Sequence, residues 1–335
     1  MHLRETVNGR LLDRSIRHAM ALHRYGNHLT HEVVGFLNSE VFPDLLGRLQ
    51  SRLERIRLRG FDSGVLTTKR YAALLDDVAA IVDDGSATLR TKLVDAAREL
   101  AKVEAGWQHN AIAATLPEAV LPRIGSGPDM RMVGTFLAQD LPHLGGPVRV
   151  VLNRIDADTV GRIRKAVGIG LAQGETTDDI VRRVRGTKAN RYEDGALQTT
   201  RRHAETLTRT LVSHTSSQAR EETFRSMPAV VKRVQWVSTL DTRTSDTCKA
   251  LDGQTWPVGE GPRPPAHPNC RSTVVPVVAS LREILGKTPK DVPEGTRASM
   301  NGQVSDRLTY GEWLAQQPRE IQVEALTMGI AFAIP

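Results

Sequence analysis

The side chains best suited to chemistry lie in one polar stretch, residues 236–271, which links two β-branched runs. This stretch holds both cysteines of the chain, Cys248 and Cys270, and two residues separate His267 from the second cysteine. Thiolates and imidazoles are the ligands that zinc prefers in tetrahedral sites. A metal would also order a long loop that has little core of its own. The spacing therefore predicts a metal site at Cys248, His267 and Cys270, with zinc as the cofactor.

Two alternatives to a metal site stay open for this loop. A disulfide between Cys248 and Cys270 would close the same stretch, although two cysteines are too few for a disulfide scaffold and fit synthesis in a reducing cytoplasm. The other alternative is two reduced thiols beside a surface histidine, with no ligand at all. The spacing does not define a fourth metal ligand, for which the candidates are Asp241, Asp246 and His214.

Polar residues next to the cysteines are suited to a structural role. Asp241, Arg243 and Thr244 follow the first β-branched run, and Arg271 follows the second cysteine. Carboxylate, guanidinium and hydroxyl groups at the end of a strand can hydrogen-bond to loop backbone and fix a turn. We therefore expect these four residues to hold the loop rather than to catalyse a reaction.

Motifs that would indicate an enzyme are missing from the sequence. It has no H-E-x-x-H zinc-protease motif, no H-x-E with P-C-x-x-C deaminase signature, no G-x-S-x-G nucleophile elbow and no P-loop. We therefore predict that the protein is not an enzyme. The alternative of a zinc-dependent hydrolase or nuclease stays open, because His267 and Cys270 could bind a metal that keeps one coordination position free.

Positive charge is concentrated in the middle third of the chain. The formal net charge is +7, and residues 151–250 hold 18 Lys and Arg against 12 Asp and Glu. A local basic field attracts nucleic acid, and the scarcity of aromatic residues (4%) favours contacts to the phosphate backbone over base stacking. The predicted nucleic-acid-binding residues are Arg182, Arg183, Arg185, Lys188 and Arg191. The alternative is a solvated helical face with no ligand.

The elements that must position these residues are predicted to be mostly helical. Apolar residues recur at helical spacing through the first hundred residues, with a turn expected at residues 83–86. Long helices with few aromatics predict an elongated N-terminal bundle. Further helices are expected at residues 156–171, 197–226 and 310–328. No apolar run approaches the ~20 residues that a membrane-spanning helix needs.

Two strands are predicted to carry the polar loop. After Pro228 the pattern becomes β-branched and partly alternating over residues 230–237, and residues 272–278 form a second such run. Residues 148–152 are also β-rich and predict a short extended segment. The predicted fold class is mostly α with a small C-terminal α+β module, whose short antiparallel sheet carries the Cys/His loop.

Composition also predicts the domain boundaries. Residues 1–115 are expected to form a helical N-terminal region, and residues 116–150, rich in Pro and Gly, a connecting segment. The α+β module is expected over residues 151–280. A C-terminal extension with a terminal helix is expected over residues 281–335.

The polar stretch resembles the head morphogenesis family of minor capsid proteins found in Mu-like and related tailed phages. The resemblance is carried by Trp236 with Asp241-Thr242-Arg243-Thr244, by Cys248 with Leu251-Asp252-Gly253, and by Pro265-Ala266-His267-Pro268-Asn269-Cys270-Arg271. It covers roughly residues 160–325 and does not extend to residues 1–150. Two positions depart from the family pattern: Leu211 replaces the glutamate of an Arg-Thr-Glu element, and Ser272 replaces the last cysteine of a Cys-Arg-Cys ending.

The resemblance implies a structural minor head protein, associated with the portal or the capsid, that acts in head assembly, DNA packaging or genome ejection. Its expected partners are the portal protein, the major capsid protein or both, with packaged double-stranded DNA as a further partner. Its expected location is the virion, in the capsid interior or at the portal vertex, after synthesis in the host cytoplasm. A sequence-nonspecific DNA-binding protein stays open as an alternative function.

Overall fold

The computed structural model of the chain describes residues 7–58, 68–125, 127–129, 139–280, 283–284, 296–305 and 308–331. The chain is 65% helical, with long N-terminal helices and a small antiparallel sheet towards its C-terminal end. The predicted fold class is therefore confirmed. The helices are α1 (Val7–Phe36), α2 (Phe42–Leu58), α3 (Thr68–Ala113), α4 (Val148–Ala172), α5 (Thr177–Arg185), α6 (Gln198–Arg225), α7 (Asp246–Leu251), α8 (Tyr310–Ala315) and α9 (Arg319–Ala331). The strands are β1 (Val231–Val237), β2 (Thr255–Pro257), β3 (Thr273–Val278), β4 (Thr296–Ser299) and β5 (Gly302–Ser305).

The chain divides into two compact units, each built from separate segments. The sheet unit contains residues 1–25, 97–143 and 210–335, and the helical unit contains residues 26–96 and 144–209. Helices α1, α3 and α6 therefore contribute residues to both units. The domain boundaries expected from composition, near residues 115, 150 and 280, stay predictions.

The helical unit has an aliphatic interior. Its buried side chains include Leu45, Leu49 and Leu53 on α2, Leu74 and Val78 on α3, and Ile163 and Val167 on α4. Both α2 and α4 pack against α5. The approach of α4 to α5 depends on Gly170, because a Cβ at this position would lie 2.5 Å from the side chain of Ile180.

Two local predictions in this unit are wrong. The β-rich residues 148–152 form the first turns of α4, because Pro147 is the N-cap and the apolar pattern continues at helical spacing through Ile155. Residues 83–86 do not form a turn, since α3 continues through them without interruption. A glycine at position 85 lets α3 approach Val41 closely, because a Cβ at this position would lie 2.6 Å from the Val41 side chain.

The sheet unit is built around a three-stranded antiparallel sheet with the strand order β2-β1-β3. Both strands predicted from the β-branched runs are present, and they pair directly with Trp236 opposite Val274. Trp236 is fully buried, and Leu11, Ile112 and Phe224 from three helices belong to the same hydrophobic cluster. The sheet thus contributes one side of a hydrophobic core to which three helices also contribute.

Strand β3 lies at an edge of the sheet, and α1 supplies a polar partner for it. Val278 donates its N–H to the side-chain oxygen of Asn8 (2.9 Å), and the Asn8 amide donates to the Val278 carbonyl (3.3 Å). The amide side chain therefore takes the place of a neighbouring strand at this position.

The predicted terminal helix is interrupted. Residues 310–328 form two helices, α8 and α9, because the residue before Pro318 is disfavoured in helical conformation. Thr309 is the N-cap of α8: its hydroxyl accepts from the Glu312 N–H (3.4 Å), and the Glu312 carboxylate accepts from the Thr309 N–H (2.8 Å).

In the part of the chain that the structure describes, no helix is both long and apolar enough to cross a membrane.

Candidate metal centre and its scaffold

The two cysteines are brought together by the elements that flank the sheet. The short helix α7 follows β1 and carries Cys248 in its first turn, where the Cys248 N–H donates to the Ser245 hydroxyl (3.3 Å). Cys270 lies just before β3. Both thiols belong to the core cluster of the sheet unit, with exposures of 1% and 4%, whereas His267 is half-buried. The polar loop therefore turns its cysteines inward.

The three side chains predicted as metal ligands form one compact group. The Cys248 Sγ lies 3.3 Å from the His267 Nε2 and 3.7 Å from the Cys270 Sγ, and all three atoms lie within 4.8 Å of one another. A tetrahedral zinc ion at about 2.3 Å from sulfur and about 2.0 Å from nitrogen separates two sulfurs by about 3.8 Å, and sulfur from nitrogen by about 3.5 Å. The group has the shape to hold a metal ion.

The second ring nitrogen of His267 has a partner of its own. Its Nδ1 lies 2.9 Å from the carbonyl oxygen of Pro268, to which it donates as an N–H. In the neutral ring this leaves Nε2 without a proton, as a metal ligand must be. The hydrogen bond therefore selects the tautomer and the ring orientation that coordination needs.

Hydrogen bonds within the group make the two thiols unequal. The bond with Cys248 lowers the pKa of Cys270 to about 4, with His267 adding to this effect and burial opposing it. The same bond, together with burial, raises the pKa of Cys248. The bond with Cys270 also raises the pKa of His267. The lowered pKa of Cys270 favours its thiolate, which is the form in which cysteine binds metals.

The other possibilities for this loop are also visible in the structure. The cysteines are free, since 3.7 Å between the sulfurs far exceeds the about 2.05 Å of a disulfide bond. Among the described residues, no fourth His, Cys, Asp or Glu joins the group. Asp241 is bound to Arg271, Asp246 pairs with Lys249 at the surface, and His214 is buried outside the group. A bound ion would take its remaining ligand from solvent or from outside these residues.

Asp241 and Arg271 form an ion pair beside the cysteines. Arg271 donates from both terminal nitrogens to the two carboxylate oxygens, at 2.5 and 2.7 Å. Burial would raise the pKa of Asp241, but the guanidinium of Arg271 outweighs it and lowers that pKa. Thr244 donates its hydroxyl to the Thr239 carbonyl (2.5 Å) and lies 3.2 Å from the Asp241 carboxylate. These contacts tie the loop after β1 to the residue before β3.

Arg243 contributes a hydrogen bond to this arrangement through its backbone, and its side chain makes only a long, exposed ion pair. Its N–H donates to Asp241 Oδ1 (3.0 Å), while its side chain is 71% exposed and lies 3.9 Å from the same carboxylate. Of the four residues predicted to hold the loop, the structure brings together Asp241, Thr244 and Arg271, and it leaves the Arg243 guanidinium in solvent.

A second buried ion pair supports the loop and was missed in the sequence. Asp252 accepts from both terminal nitrogens of Arg297 (2.9 and 3.0 Å) and from the Ser238 N–H (2.7 Å). Arg297 is 2% exposed and comes from the hairpin β4–β5. Asp252 was noted only as part of a family-like motif, and no local pattern marks Arg297, which is 45 residues away.

A third charged group connects three helices with strand β3. Glu104 of α3 accepts from Arg220 of α6 (2.6 Å), from Gln108 (2.9 Å) and, on its other oxygen, from His18 of α1 (2.5 Å). Arg220 also donates to the hydroxyl of Thr273 on β3. Burial would raise the pKa of Glu104, but Arg220 and His18 outweigh it and lower the pKa to about 2. This network joins three helices to the strand that follows Cys270.

The predicted basic run lies in the helical unit, whereas the Cys/His group belongs to the sheet unit. Arg182 and Arg183 form ion pairs with Asp179 and Glu175. The described residues form no ion pair with Arg185, Lys188 or Arg191, all of which are exposed. The run therefore divides into two paired arginines on α5 and three cations, at and beyond its C-terminal end, that have no ion-pair partner among the described residues.

Comparison with known proteins identifies the segment that contains the centre. Residues 161–275 match the family model described as Phage Mu protein F like protein. No curated protein and no solved structure gives a significant match. The matched segment includes all three residues of the Cys/His group and ends within β3. The match supports the family that was predicted from the residues. It also supports a phage head-related role for the protein. The resemblance noted beyond residue 275 lies outside the match.

Proposed function

We propose that this protein is a structural minor head protein of a tailed phage, on the basis of the segment that matches the phage Mu F-like family. In this proposal it is bound to the portal or the capsid and acts in head assembly, DNA packaging or genome ejection, without catalysing a reaction. The observation that carries the proposal is the family match over residues 161–275, which contains the Cys/His group and the basic run. The protein would reside in the virion after synthesis in the host cytoplasm.

We further propose that zinc is the ion held by Cys248, His267 and Cys270. Its task would be to stabilise the loop between β1 and β3, because both thiols are buried in the core cluster and join helix α7 to the residues before β3. Structural zinc ions contribute directly to folding free energy, which suits a long loop with few apolar residues. Asp241, Thr244 and Arg271 would support the loop from its solvent side.

A zinc-dependent hydrolase is the second candidate, favoured by one observation. Three protein ligands leave one position open for a water molecule, as in catalytic zinc sites. A hydrolase also needs a base near that water. The carboxylates that flank the loop, Asp241 and Asp252, are each bound by an arginine. This arrangement favours the structural role.

The head-protein proposal is tested on particles of the phage that encodes this chain. Mass spectrometry of purified virions before and after genome release should detect the chain in full heads, alongside the portal protein as a copy-number reference. Loss of the chain after release would assign it to ejection, and its retention would assign it to assembly or packaging. Absence from full heads in which the portal protein is readily detected would refute the proposal.

The zinc proposal is tested by elemental analysis of the full-length protein purified without chelator. We expect about one zinc per chain, and loss of the metal from Cys248→Ala, His267→Ala and Cys270→Ala. The matched control is His28→Ala, which removes a histidine that is 68% exposed and lies outside the group. A folded wild-type protein without zinc, or equal zinc in all four variants, would refute the assignment and leave the head-protein proposal standing.

A further inference from the structure

The helical unit contains a cleft whose walls are basic. It has a volume of about 430 Å³ and lies between the residues that follow α1, the start of α2, the end of α5 and the start of α6. Its nine lining residues include Asn38, Phe42, Tyr192 and the three arginines Arg185, Arg191 and Arg201. Three of these nine side chains are guanidinium groups and none is acidic. The cleft therefore concentrates positive charge without neutralising it.

Arg201 is the most buried of the three cations, and its hydrogen-bond partners among the described residues are neutral. Its guanidinium donates to Asn38 Oδ1 (2.7 Å), to Gln198 Oε1 (3.3 Å) and to the Tyr192 carbonyl (3.5 Å). It also lies 4.9 Å from the centre of the Phe42 ring. Burial lowers the pKa of Arg201, as expected for a charge that is partly removed from water without a counterion. An anion in the cleft would compensate this cost.

The loop that carries Arg191 is fixed by its own contacts. Asp194 accepts from the Thr187 N–H (2.7 Å), the Thr187 hydroxyl (2.7 Å) and the Asn190 amide (3.0 Å), so its carboxylate is engaged within the loop. Arg191 has a positive φ of 51°. Its side chain and that of Arg185 are exposed and form no ion pair with the described residues. Both guanidinium groups are thus available to a ligand that approaches from solvent.

We propose that Arg185, Arg191 and Arg201 form a site for a backbone phosphate of double-stranded DNA. Guanidinium groups bind phosphate oxygens through paired N–H donors, and three of them around one cleft suit a phosphate better than a carboxylate. Guanidinium contacts to phosphate oxygens carry no information about the base, and one of the two aromatic side chains in the lining, Phe42, is covered by Arg201. Binding is therefore expected to ignore sequence. The choice of DNA over other phosphates rests on the proposed function, because a phage head supplies DNA.

The site is tested by measuring the affinity of the full-length protein for a duplex oligonucleotide at several salt concentrations. Each phosphate contact contributes about 0.9 to the slope of log K against log salt. We expect the double variant Arg185→Gln, Arg191→Gln to reduce the slope by about that amount, because both arginines bind the same phosphate, and each single variant to reduce it by less. Arg201→Lys should weaken binding although the charge is kept, because the forked donor is lost. Circular dichroism confirms that each variant is folded.

The matched control is Arg182→Gln, which removes one exposed arginine from the same helix. Arg182 is already paired with Asp179 at 2.9 Å, so the slope should stay near the wild-type value. An equal loss in this control would show that net charge alone drives binding and would overturn the site. Wild-type affinity and slope in the double variant would overturn it as well.

Two further arms identify the source of the phosphate and separate this site from the proposed function. Inorganic phosphate and a mononucleotide should bind more weakly than duplex DNA but show the same dependence on Arg191. Arginine-dependent binding of these small ligands without binding of DNA would overturn DNA as the ligand. If the chain is absent from virions while the DNA result holds, the head-protein proposal fails and the site survives. If virions contain the chain while DNA binding is unchanged in the double variant, the site fails and the head-protein proposal survives.

Discussion

The sheet unit and the helical unit bury different kinds of groups. The sheet unit holds the Cys/His group and two ion pairs, Asp252–Arg297 and Glu104–Arg220, whose members are nearly all inaccessible to solvent. The helical unit is filled with aliphatic side chains, and its basic residues lie at the surface or line an open cleft. The family match covers part of both units. The comparison indicates that specific polar geometry adds to an apolar core in the sheet unit, whereas apolar packing dominates in the helical unit.

The largest expected effect comes from breaking a buried ion pair in the sheet unit. Asp252→Asn leaves the Arg297 guanidinium, 2% exposed, without a counterion, which should lower the free energy of unfolding by about 3–5 kcal/mol. All four tryptophans of the chain lie in this unit, so urea unfolding followed by tryptophan fluorescence measures it directly.

The control for this change is Asp246→Asn, an acid at the surface of α7 that pairs with Lys249. It should change stability by no more than about 0.5 kcal/mol. A loss of similar size in both variants would mean that burial of the pair does not determine its importance, and the contrast between the units would be weaker.

Removal of the proposed zinc should act on the sheet unit alone. A chelator should destabilise the transition seen by tryptophan fluorescence by about 2.7 kcal/mol if free zinc had been present at a hundred times its Kd. Hydrogen exchange followed by mass spectrometry should show faster exchange around residues 245–272 and no change in residues 26–96. Faster exchange throughout both units would mean that the metal does not serve one unit only.

Packing should matter most in the helical unit. Gly170→Ala places a Cβ 2.5 Å from Ile180 and should cost about 1–3 kcal/mol. Gly161, on the same helix, has nothing within 4 Å, so Gly161→Ala should instead stabilise the unit by about 0.5–1 kcal/mol. Thermal unfolding followed by circular dichroism measures both, and stabilisation by Gly170→Ala would contradict the described contact between α4 and α5.

The smallest effect expected is the pH dependence due to Asp156 in the helical unit, which has the opposite sign to that due to Glu104 in the sheet unit. Burial raises the pKa of Asp156 in the helical unit to about 6, whereas the pKa of Glu104 in the sheet unit is lowered to about 2. The contribution of Asp156 is therefore favourable at low pH and is lost as the pH rises from about 4 to 6. The contribution of Glu104 is present above its ordinary pKa and is lost as the pH falls towards 2.

Two substitutions isolate these contributions. In the wild-type protein, protection of α4 against hydrogen exchange should decrease between pH 4 and 6, after correction for the intrinsic exchange rate. Asp156→Asn should abolish this decrease. The free energy involved should be under about 1 kcal/mol, because the carboxyl group is only partly buried. Glu104→Gln should flatten the acid limb seen by tryptophan fluorescence. If the wild-type protein shows the same pH slope in both units, the assignment of these carboxyl groups is wrong.

Sequence reasoning succeeded where the signal is local. Cys248, His267 and Cys270 could be recognised because they lie within one polar stretch between two β-branched runs, and those runs form the strands that were predicted. The prediction failed for residues 148–152, where β-branched composition indicates a strand and the apolar spacing indicates a helix. The structure follows the spacing, with a helix that begins after Pro147.

Long-range pairs could not be predicted from one sequence. Glu104 and Arg220 are 116 residues apart, and each lies on an amphipathic helix that would accept a charge on its exposed face. Only the packing of α3 against α6 turns both side chains inward. Arg201 was missed for a similar reason, since its role depends on Asn38 and Phe42 from a distant part of the chain.

The contact between Asn8 and Val278 also constrains the order in which the protein can be completed on the ribosome. The helical unit has all its residues once position 209 has been synthesised, whereas Asn8 must wait for a strand that lies 270 residues downstream. At typical translation rates this interval is on the order of tens of seconds. The first turns of α1 are therefore made earliest and find their native partner among the last, so the nascent chain needs those turns to stay soluble until the edge of the sheet emerges.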